Sequence, residues 1–221
     1  MNINQYIDHT LLKATATRKD IIQLCEEAKK YHFYAVCVNG CYVKLAKQEL
    51  ENSDVKIAAV IGFPLGAMTT EAKVFEAKQC IENGASEIDM VINIGKLIDG
   101  DFEYVENEIR LIKQAIGKNT LKTIFENCYL SKEQIKTVSQ LAVNAGADFI
   151  KTATGFGTGG ATFEDVLIMK SVAQDKVQIK AAGGIRDIAT AEKYIEMGIT
   201  RLGTSSGVSL VKTGVSENNN Y

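Results

Sequence analysis

Residues 144–151 read NAGADFIK, a helix-ending glycine that runs straight into a short apolar stretch holding one lysine. A glycine at that place ends a helix in the left-handed conformation and lets the chain turn directly into a strand. The same phrase returns as NGASEID (83–89) and as MGITRLG (197–203). Three returns of one helix-to-strand turn predict a chain that alternates β and α throughout.

Working outward from these turns, eight strand-like runs follow one another: QYIDHT (5–10), YAVCVN (34–39), VKIAAVIG (55–62), EIDMVIN (87–93), LKTIFEN (121–127), DFIKTAT (148–154), VQIKAAGG (177–184) and TRLGTS (200–205). Each is followed by a longer segment with helical periodicity, such as IIQLCEEAKK (21–30) or YVENEIRLIKQAI (104–116). SKEQ (131–134) reads as a capping box, and TTEAK (69–73) as a threonine cap before an acidic first turn. Eight β-α units in 221 residues predict a lean (β/α)8 TIM barrel, a fold of ~250 residues that can be as small as ~200. A doubly wound open sheet would want fewer strands and a Gly-rich first turn, and no GxGxxG follows the first run. The expected organisation is one barrel domain over 1–215 and a polar tail, SENNNY, over 216–221.

Composition narrows the function classes. A net charge of −2 with no basic run gives no reason to expect a nucleic-acid partner. The apolar segment IAAVIGFPLGAM (57–68) is too short to span a bilayer, and MNINQYIDHT does not read as a secretory signal. Five scattered cysteines without a CxxC pair suit reduced thiols in a cytoplasm.

In a barrel the catalytic groups come from the C-terminal strand ends. Those ends carry Asp8 and Thr10, Cys37 and Asn39, Asp89 and Asn93, Glu126, Lys151 and Thr154, Lys180, then Ser205 and Ser206. Lys151 and Lys180 lie at similar depth on consecutive runs, so both are expected to point into the barrel mouth. Two ammonium ions ~5 Å apart at an effective dielectric of ~20 repel by ~3 kcal/mol, about two pKa units. At least one of the two is therefore expected to hold a free amine near neutral pH, as imine chemistry requires. Asp89, on a strand expected to be buried, would neutralise a lysine, position a water or accept a proton. AAGGIRD (181–187) and GTSSG (203–207) fall after the seventh and eighth runs, where barrels commonly bind phosphate. TGFGTGG (154–160), directly after Lys151, is a further flexible loop.

The motifs YIDHTLLKA (6–14), VCVNGCYV (36–43), VIGFPLGAMTTEAK (60–73), GASEIDMVINIG (84–95), AGADFIKTATGF (145–156), IKAAGGIR (179–186) and RLGTSSG (201–207) resemble the deoxyribose-phosphate aldolase family. The resemblance implies a class I, metal-independent aldolase on a (β/α)8 barrel, with no cofactor. Its substrates would be a small sugar phosphate and acetaldehyde. It implies that Lys151 is the Schiff-base lysine, that Lys180 perturbs it and assists proton transfer, and that Asp89 works with a water as proton relay. Gly183, Gly184, Gly203, Ser205 and Ser206 would bind the 5′-phosphate, with Gly155 beside it. Thr154, Asp8, Thr10 and Cys37 are further substrate-contact candidates. Some family members bring a terminal tyrosine to the site, a role open to Tyr221, and a homodimer is expected. Ala14, Gly40, Ala153, Asn127 and Phe156 depart from residues common in the family. Phe156 stands where some members have a lysine near the phosphate.

Three competitors remain at this level. A metal-dependent aldolase wants several imidazoles, and the chain has only His9 and His32. A flavin-binding barrel would explain the glycine loops but gives two lysines no task. A non-catalytic sugar-phosphate binder would need no activated nucleophile.

Overall fold

Each of the eight strand-like runs forms a strand, and helices cover the barrel they build. The computed structural model describes residues 2–213. The chain runs β1 (Ile7–Leu11), α1 (Arg18–Lys30), β2 (Ala35–Asn39), α2 (Val43–Glu49), β3 (Lys56–Ile61), α3 (Thr70–Glu82), β4 (Glu87–Val91), α4 (Ile94–Ile98) and α5 (Phe102–Ile116). It continues through β5 (Thr120–Ile124), α6 (Lys132–Asn144), β6 (Phe149–Lys151), α7 (Phe163–Ala173), β7 (Gln178–Ala182), α8 (Ile188–Glu196), β8 (Arg201–Thr204) and α9 (Gly207–Thr213). Neighbouring strands pair in parallel, and β1 pairs with both β2 and β8, so the barrel is closed and has no edge. The one-turn helix α4, between β4 and α5, was not expected from the periodicity. Tyr221, the 216–221 tail and the boundary at 215 lie outside the described residues.

Local chemistry accounts for the boundaries. Gly84, Gly146 and Gly198 all have positive φ (110°, 81° and 88°), as the repeated turn phrase requires. Ser131 and Gln134 form the expected capping box on α6, and Thr69 accepts from the Ala72 N–H at the start of α3. Thr17 and Asp20 make a second capping box on α1.

Alternation along each strand separates two environments. Val36, Val38, Ala59, Ile61, Ile88, Met90, Leu121, Ile150, Ile179, Ala181 and Leu202 belong to the core between barrel and helices. Their partners there include Ile21 and Leu24 of α1, Ile109 and Ile112 of α5, and Val138 and Ala142 of α6. The intervening residues face into the barrel. On β2 and β3 these are apolar: Cys37, Ala58 and Val60 cluster with Leu12 and Phe63. On β1 and on β4 to β8 they include the charged residues Asp8, Glu87, Asp89, Lys122, Lys151, Lys180 and Arg201.

One buried ion pair lies outside the barrel. Lys73 Nζ on α3 donates to the Val91 carbonyl (2.8 Å) and to Glu108 Oε1 on α5 (2.9 Å), and both side chains are fully buried. Glu108 Oε2 also accepts from the Asn93 N–H (3.2 Å), tying the end of β4 to both helices. Burial pushes the Lys73 amine down and the Glu108 carboxyl up, outweighing their mutual attraction. Glu108→Leu is therefore expected to cost about 3–5 kcal/mol, because Lys73 stays buried without its partner. Lys73→Met with Glu108→Leu should recover most of that loss, as read from urea denaturation midpoints. A double variant no more stable than the single one would contradict this account.

Candidate active site

The register of the parallel ladder decides which inward side chains meet. Lys151 of β6 stands directly beside Lys180 of β7, Asp89 of β4 beside Lys122 of β5, and Lys180 beside Arg201 of β8. The two lysines expected side by side are therefore neighbours, but they are part of a larger cluster. Seven ionisable residues fill the barrel: the carboxylates Asp8, Glu87 and Asp89, and the cations Lys122, Lys151, Lys180 and Arg201. All are buried, with Asp8, Asp89, Lys122 and Lys180 at 0 % exposure and Lys151 at 3 %.

Asp89 is the hub. Its Oδ2 accepts from both Lys151 Nζ and Lys180 Nζ at 2.8 Å, and its Oδ1 accepts from Lys122 Nζ at 2.7 Å. Lys180 also donates to Asp8 Oδ2. Lys122 adds a contact to Glu87 Oε2 at 2.5 Å and a longer one to Asp8 Oδ2 at 3.9 Å. Arg201 closes the base, with Nη1 at 2.8 Å from Asp8 Oδ1 and 2.9 Å from Glu87 Oε2. Its guanidinium lies 3.6 Å from the Tyr34 ring centroid, a cation–π contact.

Pairing is uneven, and that settles the charges. Lys151 has one carboxylate partner, Lys180 has two and Lys122 three. Burial pulls Lys180 down, but Asp8 and Asp89 outweigh it and hold the ammonium above its ordinary range. Lys122 is likewise raised, burial notwithstanding, by Asp89 and Glu87. For Lys151 burial wins: the amine is pushed down, Asp89 opposes the shift and Lys180 adds to it. Burial and repulsion between the lysines act in the same direction, and burial is the larger cause, with Asp89 standing between the two charges. Burial raises Asp89, yet Lys122, Lys151 and Lys180 together keep it well below the usual carboxylate range. Such a carboxylate is a weak base, suited to orienting its donors more than to taking a proton.

The remaining expected site residues fall into place unequally. Asp8 is fully buried, and its two oxygens accept from Lys180 and Arg201. Burial raises its carboxyl, yet Lys180, Arg201 and Lys122 together hold it below the usual carboxylate range. Thr154 donates its hydroxyl to Glu126 Oε2 and accepts from the Phe156 N–H (2.9 Å), which fixes the loop after Lys151. Glu126 stands in the left-handed conformation with φ 56°, a strained backbone often seen at functional sites. Cys37 faces inward on β2 among Leu12, Ala58 and Val60, and burial raises its thiol. Thr10 and Ser205 line a polar cavity of about 460 Å³ with Lys13 and Asp20.

The glycines serve different needs. A Cβ on Gly203 would stand 3.0 Å from Lys180 Cε and 2.9 Å from Ala182 Cβ, so glycine here gives the Lys180 chain its path. Gly160 and Gly183 bring two loops together: a Cβ on Gly160 would lie 2.3 Å from the Gly183 carbonyl oxygen. Gly184, with φ 79°, has nothing within 4 Å of its Cβ position, so its backbone faces open space. Ser206 donates its N–H to Thr204 Oγ1 (3.0 Å) at the end of β8. Phe156 packs edge-on against Phe63, with centroids 5.3 Å apart, on the rim of the mouth.

Sequence reasoning missed Lys122, Glu87 and Arg201. Each has an inward position two residues from, or directly opposite, one that was found, so a period-two count of charges on every run is the signal that carries them.

Comparison with known proteins places the chain in a family. The family model described as DeoC/LacD family aldolase matches residues 3–215. A protein of Geobacillus sp. (strain WCH70) named deoxyribose-phosphate aldolase is 54 % identical over 221 residues, 100 % of this chain and 99 % of its own. One of the same name from Treponema denticola is 53 % identical over 213 residues, 96 % of this chain and 99 % of its own. A deoxyribose phosphate aldolase from Aeropyrum pernix, whose structure is described as tetrameric, superposes with a TM-score of 0.86 at 32 % identity. That match covers 96 % of this chain and 91 % of the other. This chain belongs to the DeoC/LacD aldolase family.

Proposed function

We propose that the protein cleaves 2-deoxy-D-ribose 5-phosphate reversibly to D-glyceraldehyde 3-phosphate and acetaldehyde through an imine on Lys151. Aldolase chemistry follows from the family; the substrate is that of the relatives named above. The observation that carries the choice of Lys151 is its pairing. It is the least-partnered of four buried cations that share three carboxylates, so it is the one that loses its proton at least cost.

Carbon balance fixes the bond that breaks. Acetaldehyde takes C1 and C2, so C2–C3 is cleaved. The Lys151 amine adds to the C1 aldehyde, and water leaves to give a protonated imine. The hydroxyl on C3 loses its proton, the C2–C3 electrons flow toward the cationic nitrogen, and glyceraldehyde 3-phosphate departs from a neutral enamine. Protonation at C2 and addition of water then release acetaldehyde and the free amine. Lys180, held as an ammonium, is the acid within reach of this chemistry, and Asp89 aligns it with Lys151 through one shared oxygen. The loops after β6, β7 and β8 are the proposed phosphate cradle. Gly155, Gly183 and Gly184 supply backbone with positive φ, and Ser205 and Ser206 supply hydroxyls.

The test is acetaldehyde release from 2-deoxy-D-ribose 5-phosphate with excess chelator present. Turnover that chelator leaves unchanged is expected. Binding without turnover would favour a sugar-phosphate binder, and turnover lost to chelator and restored by a divalent cation would favour a metal aldolase.

A further inference from the structure

The cluster inside the barrel has one more cation than carboxylates, and this excess decides which group discharges. Lys151 can stay neutral only while the other three cations hold the carboxylates. Arg201 binds Asp8 and Glu87 but does not touch Asp89. Lys180 shares Asp89 Oδ2 with Lys151 and is already assigned the proton. Lys122 is the remaining cation, and its position is distinctive. It is fully buried, opposite Asp89 in the register, and holds Oδ1, the oxygen that Lys151 does not use.

We propose that Lys122 is a positioning residue for the reaction: by occupying Asp89 Oδ1 and Glu87 it leaves the carboxylates one short of the cations, so that the Lys151 amine stays uncharged and able to attack. This rests on the reading of Lys151 as the imine-forming lysine. Removing Lys122 would leave three cations for three carboxylates, and Lys151 would then be fully balanced in its protonated form. The effect needs no contact between Lys122 and substrate.

The groups that face Lys151 bound the expectation. Asp89 approaches from β4, Lys180 from β7, Cys37 from β2 and Glu126 from the end of β5, while β3 presents only Ala58 and Val60. Asp8 and Glu87 touch Asp89's partners Lys180 and Lys122, and Arg201 pairs with both of these carboxylates. Burial raises both Cys37 and Glu126, and neither touches Lys122, so both stay the same in the parent and in the Lys122 variants.

The experiment is the pH dependence of kcat/KM, together with the rate of borohydride trapping of 2-deoxy-D-ribose 5-phosphate on the protein. In Lys122→Met the acid limb should move to higher pH by about one unit, a tenfold loss of free amine on the acid side. Activity should return toward that of the parent as pH rises. Lys122→Arg should restore the parent limb. Glu87→Gln, which removes a carboxylate, should move the limb the other way, to lower pH. An unchanged limb in Lys122→Met, or shifts of the same sign in Lys122→Met and Glu87→Gln, would overturn the proposal. If Lys122→Met does not fold, Glu87→Gln decides alone: a limb that stays or rises overturns it. The parent is the control that separates the two readings. Failure of the parent to trap substrate on Lys151 would refute the imine assignment, whereas trapping with an unmoved limb in the variants refutes only the role of Lys122.

Discussion

Lys151→Leu should lose at least ~10⁴-fold in kcat/KM while folding as well as the parent or better. The activity loss follows from removing the proposed imine-forming amine, since no neighbouring cation is free to replace it. Lys180 and Lys122 are both held as ammonium ions by their carboxylates. The stability expectation comes from charge balance. With leucine at 151 the barrel holds three carboxylates and three cations, and the desolvation that pushes the Lys151 amine down no longer has to be met. Thermal melting of the variant at or above the parent, with turnover gone, would show a nucleophile maintained at a cost in stability. A variant that melts well below the parent would mean that Lys151 is a structural cation.

Asp89→Asn is expected to damage both fold and catalysis, for separable reasons. Three lysines lose their common carboxylate, and breaking a buried ionic pair on one side costs about 3–5 kcal/mol. Asp89 is also the group that raises Lys151 against burial, so its loss should move the acid limb of kcat/KM to lower pH. More free amine would then be present at neutral pH. Activity should nonetheless fall by ~10²-fold or more, because Lys180 is no longer aligned as the acid beside the imine. A lower limb with lower activity distinguishes alignment from simple charge tuning. A limb that rises would contradict the arrangement of charges described for the barrel.

These variants also show how far the amino-acid sequence carries. The barrel was legible because its turns repeat: Gly84, Gly146 and Gly198 end helices in the same way, and the strand-like runs between them recur eight times. Lys151, Lys180 and Asp89 were legible as neighbours because two lysines at similar depth on consecutive runs, with a carboxylate among the strand ends, form a constellation that no one of them makes alone. The deeper half of the cluster was not. Whether Lys122 meets Asp89, or Arg201 meets Glu87, depends on how each strand is staggered against the next around a closed barrel. Periodicity within one strand does not reveal that stagger. The same limit hid Lys73 and Glu108, which lie on helices whose lysines and glutamates ordinarily face water and which meet only through the packing of α3 on α5. The ranking of the causes of the Lys151 shift was also out of reach. Spacing showed two like charges side by side, but not that a carboxylate would stand between them and leave burial as the stronger effect.

The central claim is that Lys151 alone, among the four cations inside the barrel, carries a reactive amine. It is tested most directly by borohydride reduction of the protein with 2-deoxy-D-ribose 5-phosphate, followed by peptide mapping. The prediction is a substrate-derived adduct on Lys151, formed in step with loss of activity, and unmodified Lys122 and Lys180. An adduct on either of those lysines, or inactivation with Lys151 untouched, would contradict it.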